Sequence, residues 1–311
     1  MNIRHLETKN SRITSQTINA FSVKAFLFAN AFVDGDTTFG SSKMDFSKVT
    51  IKAILNRKGM DHILFQDNLK IIGLASNLNT RGQLAFYSDH DHLIKLGDGK
   101  ALVSFNIPLG GPIRIADDDY VYLEVTNQDG LFDAAYINSS YLEVKPVKCV
   151  GYETFIPQIK SYNIQAGTSS DVYSLGDNVI RTVILNYDKL DFSQPVIQNL
   201  NFASDRLNDG FTFADLVLMK EASYPKVPVN LSADAATLFE SDQSFTLTDF
   251  HQRFNQLILS AQFDGSQVAA SSNYLVVWST KTDWTILQKA EALQDKHEKI
   301  NANAIPASIA K

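Results

Sequence analysis

The sequence predicts an all-β protein built as two tandem antiparallel sandwiches, with a few short helices and a longer helix toward its carboxy-terminal end. Three observations carry this reading. Short alternating or β-branched runs recur at intervals of roughly 10 to 20 residues, separated by turn residues, without regularly alternating helices. At 311 residues the chain exceeds one ordinary β domain and suits two. One stretch also occurs twice: Asp129-Gly130 leads through a polar run to Ser139-Ser140-Tyr141-Leu142-Glu143-Val144, and Asp264-Gly265 leads to Ser272-Asn273-Tyr274-Leu275-Val276-Val277.

Each copy joins an Asp-Gly turn, where glycine can supply positive φ, to a strand of aromatic and β-branched residues. Each comes after a strand, Val121 to Thr126 or Leu257 to Phe263, and so reads as the closing hairpin of a β unit. A second echo lies upstream. Val49-Thr50-Ile51-Lys52-Ala53-Ile54-Leu55-Asn56 lines up with Val179-Ile180-Arg181-Thr182-Val183-Ile184-Leu185-Asn186, continuing to Asp61 and Asp191, then to Gln66-Asp67-Asn68-Leu69 and Gln198-Asn199-Leu200. Two landmarks in one order, each displaced by about 130 residues, mark a duplicated unit.

Taken in order, Met1 to Thr17 is polar and without strand or helix periodicity, and it reads as an amino-terminal arm (1–17). The first sandwich (18–149) opens on a long strand in which Phe21, Val23, Ala25, Leu27, Ala29, Ala31 and Val33 alternate, with Phe26, Phe28 and Phe32 opposite. A strand apolar on both faces needs cover on both. Further strands are expected at Val49 to Asn56, His62 to Gly73, Gln83 to Tyr87, Leu102 to Ile107, Tyr120 to Thr126 and Tyr141 to Val147. Turns separate them at Arg57-Lys58-Gly59, Asn77 to Gly82, Gly97-Asp98-Gly99 and Leu109-Gly110-Gly111-Pro112. The chain crosses at Lys145 to Gly151 into a second sandwich (150–281), with strands at Glu153 to Ile164, Val172 to Leu175, Val179 to Tyr187, Pro195 to Ala203, Ser244 to Leu247, Leu257 to Phe263 and Tyr274 to Ser279. Thr212 to Lys220 and Ser232 to Phe239 read as short helices. The carboxy-terminal segment (282–311) holds the clearest helix, Asp283 to Ile300, with Ile286, Leu287, Ala290, Leu293 and Ile300 on one face.

Composition narrows function more than motifs do. A hydrophobic content of 44% with 20% charged residues is that of a soluble globular chain, and a net charge of -6 gives no general attraction to nucleic acid. The lone Cys149 excludes an intrachain disulfide, and the polar amino terminus lacks the apolar core of a signal peptide. No run of 18 apolar residues is present. No phosphate loop, dinucleotide fingerprint, nucleophile elbow or zinc-ligand spacing can be written. Asp89-His90-Asp91-His92 reads as a solvated turn before it reads as a metal site, and Asp117-Asp118-Asp119 lacks the alternate spacing of calcium loops. Trp278 and Trp284 read as packed aromatics in preference to a ligand platform. Asn138-Ser139-Ser140 and Asn230-Leu231-Ser232 match the glycosylation pattern without a secretion signal to give it meaning. The sequence therefore nominates no catalytic, cofactor or metal residue, and the chain is not read as an enzyme.

With its two Asp-Gly…Tyr-Leu-x-Val elements and two Val-x-x-x-x-Ile-Leu-Asn strands, the chain resembles the double jelly-roll major capsid proteins of tailless icosahedral bacteriophages with an internal membrane, the lineage that includes adenovirus hexon. The resemblance spans Thr17 to Thr280. It implies a structural subunit of the virion shell, made in the host cytoplasm, that trimerises into pseudo-hexagonal capsomers. The implied partners are further copies of itself, neighbouring capsomers and minor capsid or vertex proteins. Arg4, Lys9 and Arg12 in the arm make inner-membrane lipid a further expected partner. Neither specific nucleic acid nor a small-molecule substrate is expected. The reading set against this is a paired jelly-roll amidase acting on glycoproteins, or a carbohydrate-binding adhesin; those are normally exported, often disulfide-bonded, and carry clustered acids or aromatics in a cleft between domains.

Overall fold

The computed structural model describes the chain except residues 28–44, 82–92, 98–99, 133–136, 152–154, 187–195, 206, 213–214, 217–244, 251–253, 267, 269–272 and 283–311. Its strands are β1 (Asn2–Ile3), β2 (Thr8–Ile13), β3 (Gln16–Leu27), β4 (Val49–Arg57), β5 (Met60–Asn68), β6 (Leu93–Gly97), β7 (Lys100–Ile115), β8 (Tyr120–Asn127) and β9 (Tyr141–Lys148), and then β10 (Phe155–Ile164), β11 (Ser170–Gly176), β12 (Val179–Asn186), β13 (Ile197–Ala203), β14 (Asn208–Thr212), β15 (Phe245–Asp249), β16 (Leu257–Phe263) and β17 (Asn273–Thr282). Among the described residues a long helix, α1 (Leu69–Arg81), comes after β5.

Alternation makes the strands and decides which face is buried. In β3, Phe21, Val23, Ala25 and Leu27 point inward with no exposed surface, whereas Ser22, Lys24 and Phe26 are half-buried on the other side. Strands β4 and β8 repeat the pattern through Val49, Ile51, Ala53 and Leu55, and through Val121, Leu123 and Val125. Apolar side chains from the two facing sheets meet in a core where Phe21 packs edge-on against Phe65, and Phe46 against Phe105. The second sandwich has its own core of Ile184, Leu200, Phe202, Leu257, Leu259 and Phe263, among others.

The two sandwiches share one strand order. Counting without the added edge strand β6, the first, eighth, third and sixth strands of the first unit form one sheet, β1-β9-β3-β7, and the second, seventh, fourth and fifth form the other, β2-β8-β4-β5. In the second unit the same positions give β10-β17-β12-β15 and β11-β16-β13-β14. This is the jelly-roll order, found twice, and it bears out the all-β, two-sandwich expectation.

Several expectations change. Met1 to Thr17 is no arm: β1 and β2 are the first two strands of the first jelly roll, paired to β9 and β8. Their outward positions are polar because the outer side of the sheet faces solvent, which hides the strands from a periodicity reading. The Asp-Gly elements are not closing hairpins. β8 and β9 lie in opposite sheets, as do β16 and β17, so each Asp-Gly turn opens a crossing between sheets. Tyr141 to Val144 and Tyr274 to Val277 do occupy equivalent eighth strands. The Val49 and Val179 echoes do not: one is a fourth strand and the other a third, in the opposite kind of sheet. The fold therefore rests on strand order and not on that echo. The strand expected to run to Gly73 ends at Asn68, whose side-chain oxygen caps α1 by accepting the Ile71 amide at 2.9 Å. Leu109 to Pro112 is not a turn between strands but an irregularity inside β7, with Gly110 at φ 79 where β3 itself bulges between Ile18 and Ala20. β14 is a strand that alternation does not disclose, its first three residues being exposed. The Gln83 to Tyr87 strand, the Ser232 to Phe239 and Asp283 to Ile300 helices, and residues 28–33 of the first long strand lie outside the described residues.

Candidate functional site

The arrangement with most bearing on function is the join between the sandwiches. β10, first strand of the second unit, lies parallel to β5, fifth strand of the first, with Ile159 opposite Phe65. The pairing fuses one sheet of each sandwich into a continuous eight-stranded sheet. Ser161 of β10 hydrogen-bonds the Asp67 carboxylate of β5 across the same seam. Helix α1 closes the join, packing against β7 on one side and β17 and β12 on the other. Its Leu69, Ile71, Ile72 and Ala75 share a single core with Ile159 and Val276 of the second unit.

β17 is consequently buried on both faces. Leu275 and Val277 enter the second sandwich's core, and Val276 between them enters the first's. This explains the sequence difference between the two eighth strands. Val276 stands where the otherwise similar Tyr141-Leu142-Glu143-Val144 has Glu143, a half-buried carboxylate paired with Lys145 at 2.7 Å. A two-faced apolar strand is legible there as a difference between the repeats.

The surface beside β1 is largely polar. A hollow of about 490 Å³ beside β1 is lined by Asn2, Arg4, Glu7, Lys9 and Tyr141. The turn from β1 to β2 is held by Asn127, whose Nδ2 donates to the Arg4 carbonyl at 3.0 Å, while its own amide donates to the Glu7 carbonyl at 3.0 Å. Glu7 accepts the Arg4 amide at 2.7 Å and pairs with Lys9 at 2.9 Å; these hydrogen bonds hold its carboxyl below the ordinary range. The Met1 amine, donating to the Val144 carbonyl at 3.1 Å, is lowered by burial. Arg12 lies over the Tyr120 ring at 3.7 Å. The cations Arg4, Lys9 and Arg12 are thus strand and turn residues of the first sandwich and not part of a free arm.

Each remaining candidate has a definite place. Asp117 and Asp118 are exposed on the β7–β8 turn, while Asp119 is 7% exposed with its carboxylate accepting the Lys58 amide at 3.1 Å and facing the Arg57 guanidinium at 3.5 Å. Asp119 thereby braces the tight β4–β5 turn, where Lys58 and Gly59 both have positive φ. Among the described residues no three His, Cys, Asp or Glu side chains gather as a metal site. Asp89 to His92, Trp284 and Asn230 lie outside the described residues. Trp278 sits in β17, opposite Ile159 and Val183. Asn138 is exposed on a turn, and Cys149 is a half-buried free thiol. No described helix is long and apolar enough to cross a membrane.

No family profile and no curated protein matches the chain. Among solved structures it is similar to the major capsid protein P2 from bacteriophage PM2, at 13% identity and TM-score 0.48, over 90% of this chain and 94% of that one. It is similar to the STIV MCP at 14% identity and TM-score 0.48, over 90% and 92% of the two chains. It is also similar to the mavirus major capsid protein, at 10% identity and TM-score 0.30, over 88% and 83%. These likenesses are loose, and the repeated strand order stands without them.

Proposed function

We propose that this chain is a major capsid protein, a structural subunit that trimerises into pseudo-hexagonal capsomers and tiles an icosahedral shell. The observation that carries the reading is the repeated strand order: two sandwiches of one topology, fused by a continuous sheet. A chain with two like wall units presents six in a trimer, which gives a near-hexagonal tile. The sequence nominates no catalytic set, and self-assembly requires none. The glycan-processing alternative needs acids or aromatics in a cleft between the units. Here the described join is filled by Ile159, Val276 and the apolar side of α1.

Sedimentation velocity of the purified protein at micromolar concentration tests this. A species of three times 34.6 kDa is expected, held by interfaces above about 2,000 Å² in total. A well-behaved monomer overturns the reading.

A further inference from the structure

The join inside the chain is heterologous: a fifth strand meets a first strand. One more of each remains, β14 and β1, both at the edges of their sheets. Among the described residues neither outer edge carries a partner strand, and Asn208, Asp209, Gly210 and Asn2 are exposed, the Asn2 carbonyl accepting only the mobile Lys9 ammonium at 2.7 Å. Open edges are surfaces that proteins cover or pair. We propose that a second copy of this chain supplies the missing partner, with β14 of one molecule lying parallel beside β1 of the next, a contact of the same fifth-to-first kind as β5 with β10. The inference rests on the trimer reading and specifies which strands meet.

Three observations favour this occupant. The first is register. β1 sets Asn2 opposite Glu143 and Ile3 opposite Leu142, while β10 sets Ser161 opposite Val276 and Tyr162 opposite Leu275. Because β9 and β17 share Tyr-Leu-x-Val, Asn2 holds the place of Ser161, the residue that reaches across the internal seam to Asp67. The second is the element after each fifth strand. β5 runs into α1 through the Asn68 cap, and β14 runs into a helical start at Asp215 and Leu216 capped by Thr212, whose hydroxyl accepts the Asp215 amide at 3.1 Å. The third is charge. Beside β1 lie Arg4, Lys9 and Lys145 with the carboxylates of Glu7 and Glu143, each of the two paired with a lysine, which leaves Arg4 in excess, and Leu6 in the same turn is 69% exposed; β14 presents Asp209, with Asp215 just beyond it, both exposed. Each such contact consumes one fifth-strand edge and one first-strand edge, so copies add head to tail, and a trimer closes the ring.

Chains with Cys149→Ser, Asn2→Cys and Gly210→Cys, treated with a short bismaleimide, test the contact. Gly210 tolerates a side chain, since a Cβ there finds nothing nearer than Asn201 Oδ1 at 3.9 Å. Denaturing gels are expected to show two- and three-chain species and nothing larger, and chains carrying either single cysteine are expected to stay unlinked. Should the paired cysteines disturb folding, Asp209→Arg is expected to raise the trimer's dissociation constant about tenfold, with Arg4→Asp in the same chain restoring it. Trimers that fail to link Asn2→Cys to Gly210→Cys, self-linking of a single-cysteine chain, or no restoration by the charge swap overturns this contact and leaves the capsid reading standing. A monomeric wild-type protein overturns both.

Discussion

Phe65 and Ile159 stand opposite each other in parallel register across the seam between the two jelly rolls, 1% and 4% exposed. Phe65 also meets the ring of Phe21 edge-on at 5.8 Å, so it belongs at once to the first core and to the join. Phe65→Ala is expected to cost about 3–5 kcal/mol of stability, and Ile159→Ala about 2–5 kcal/mol. The double variant should lose less than the sum, because the two residues share one contact. Guanidinium denaturation of the three variants checks this; an Ile159→Ala protein as stable as wild type would mean the seam is not packed.

The two Asp-Gly turns use glycine for different reasons. Gly130 has φ 99, and the nearest neighbour of an added Cβ is the flexible Lys48 side chain at 3.4 Å. Gly130→Ala is therefore penalised by backbone strain, about 1–3 kcal/mol. Gly265 has no positive φ, but an added Cβ would lie 3.1 Å from the Gly167 carbonyl oxygen and 3.5 Å from its carbon. That neighbour is backbone, so Gly265→Ala forces the Gly167 turn to move, at a cost of about 1–3 kcal/mol. Thermal melts of both variants are the measurement, and amide shifts in the second should change at Gly167 and Thr168. Unchanged melting of Gly265→Ala refutes the close approach.

Glu7 gives the β1–β2 turn a definite acid response. Hydrogen bonds from the Arg4 amide, then from Lys9, lower its pKa below 4.5. A carboxyl depressed on folding contributes stability above its unfolded value, and that contribution is lost as pH falls through the folded one. An NMR titration should give Glu7 a midpoint below 4.5, with the Arg4 amide shift moving in step and Glu7→Gln abolishing the coupled shift. A Glu7 midpoint at or above 4.5 contradicts the contact.

Much of this fold is written locally. The two-residue alternation of Val49, Ile51, Ala53 and Leu55, the capping Asn68, and the Lys58-Gly59 turn each act over a few residues, where side-chain direction and backbone sterics decide the outcome. The shared Tyr-Leu-x-Val strands likewise disclose the duplication, because β9 and β17 hold the same position in like sandwiches. Which sheet a strand joins is decided elsewhere. Alternation fixes a buried face but not a partner, so Val49 to Asn56 and Val179 to Asn186 read alike while serving as a fourth and a third strand. For the same reason β8 and β9 read as a hairpin although they lie in opposite sheets. The polar positions of β1 and β2 read as an arm because their pairing with β9 and β8 spans more than a hundred residues of sequence. The candidate interface is of this second kind. Its edges exist only once distant strands have paired and left β1 and β14 outermost, since hydrogen bonds between strands depend on proximity in space and leave no periodic trace in the chain.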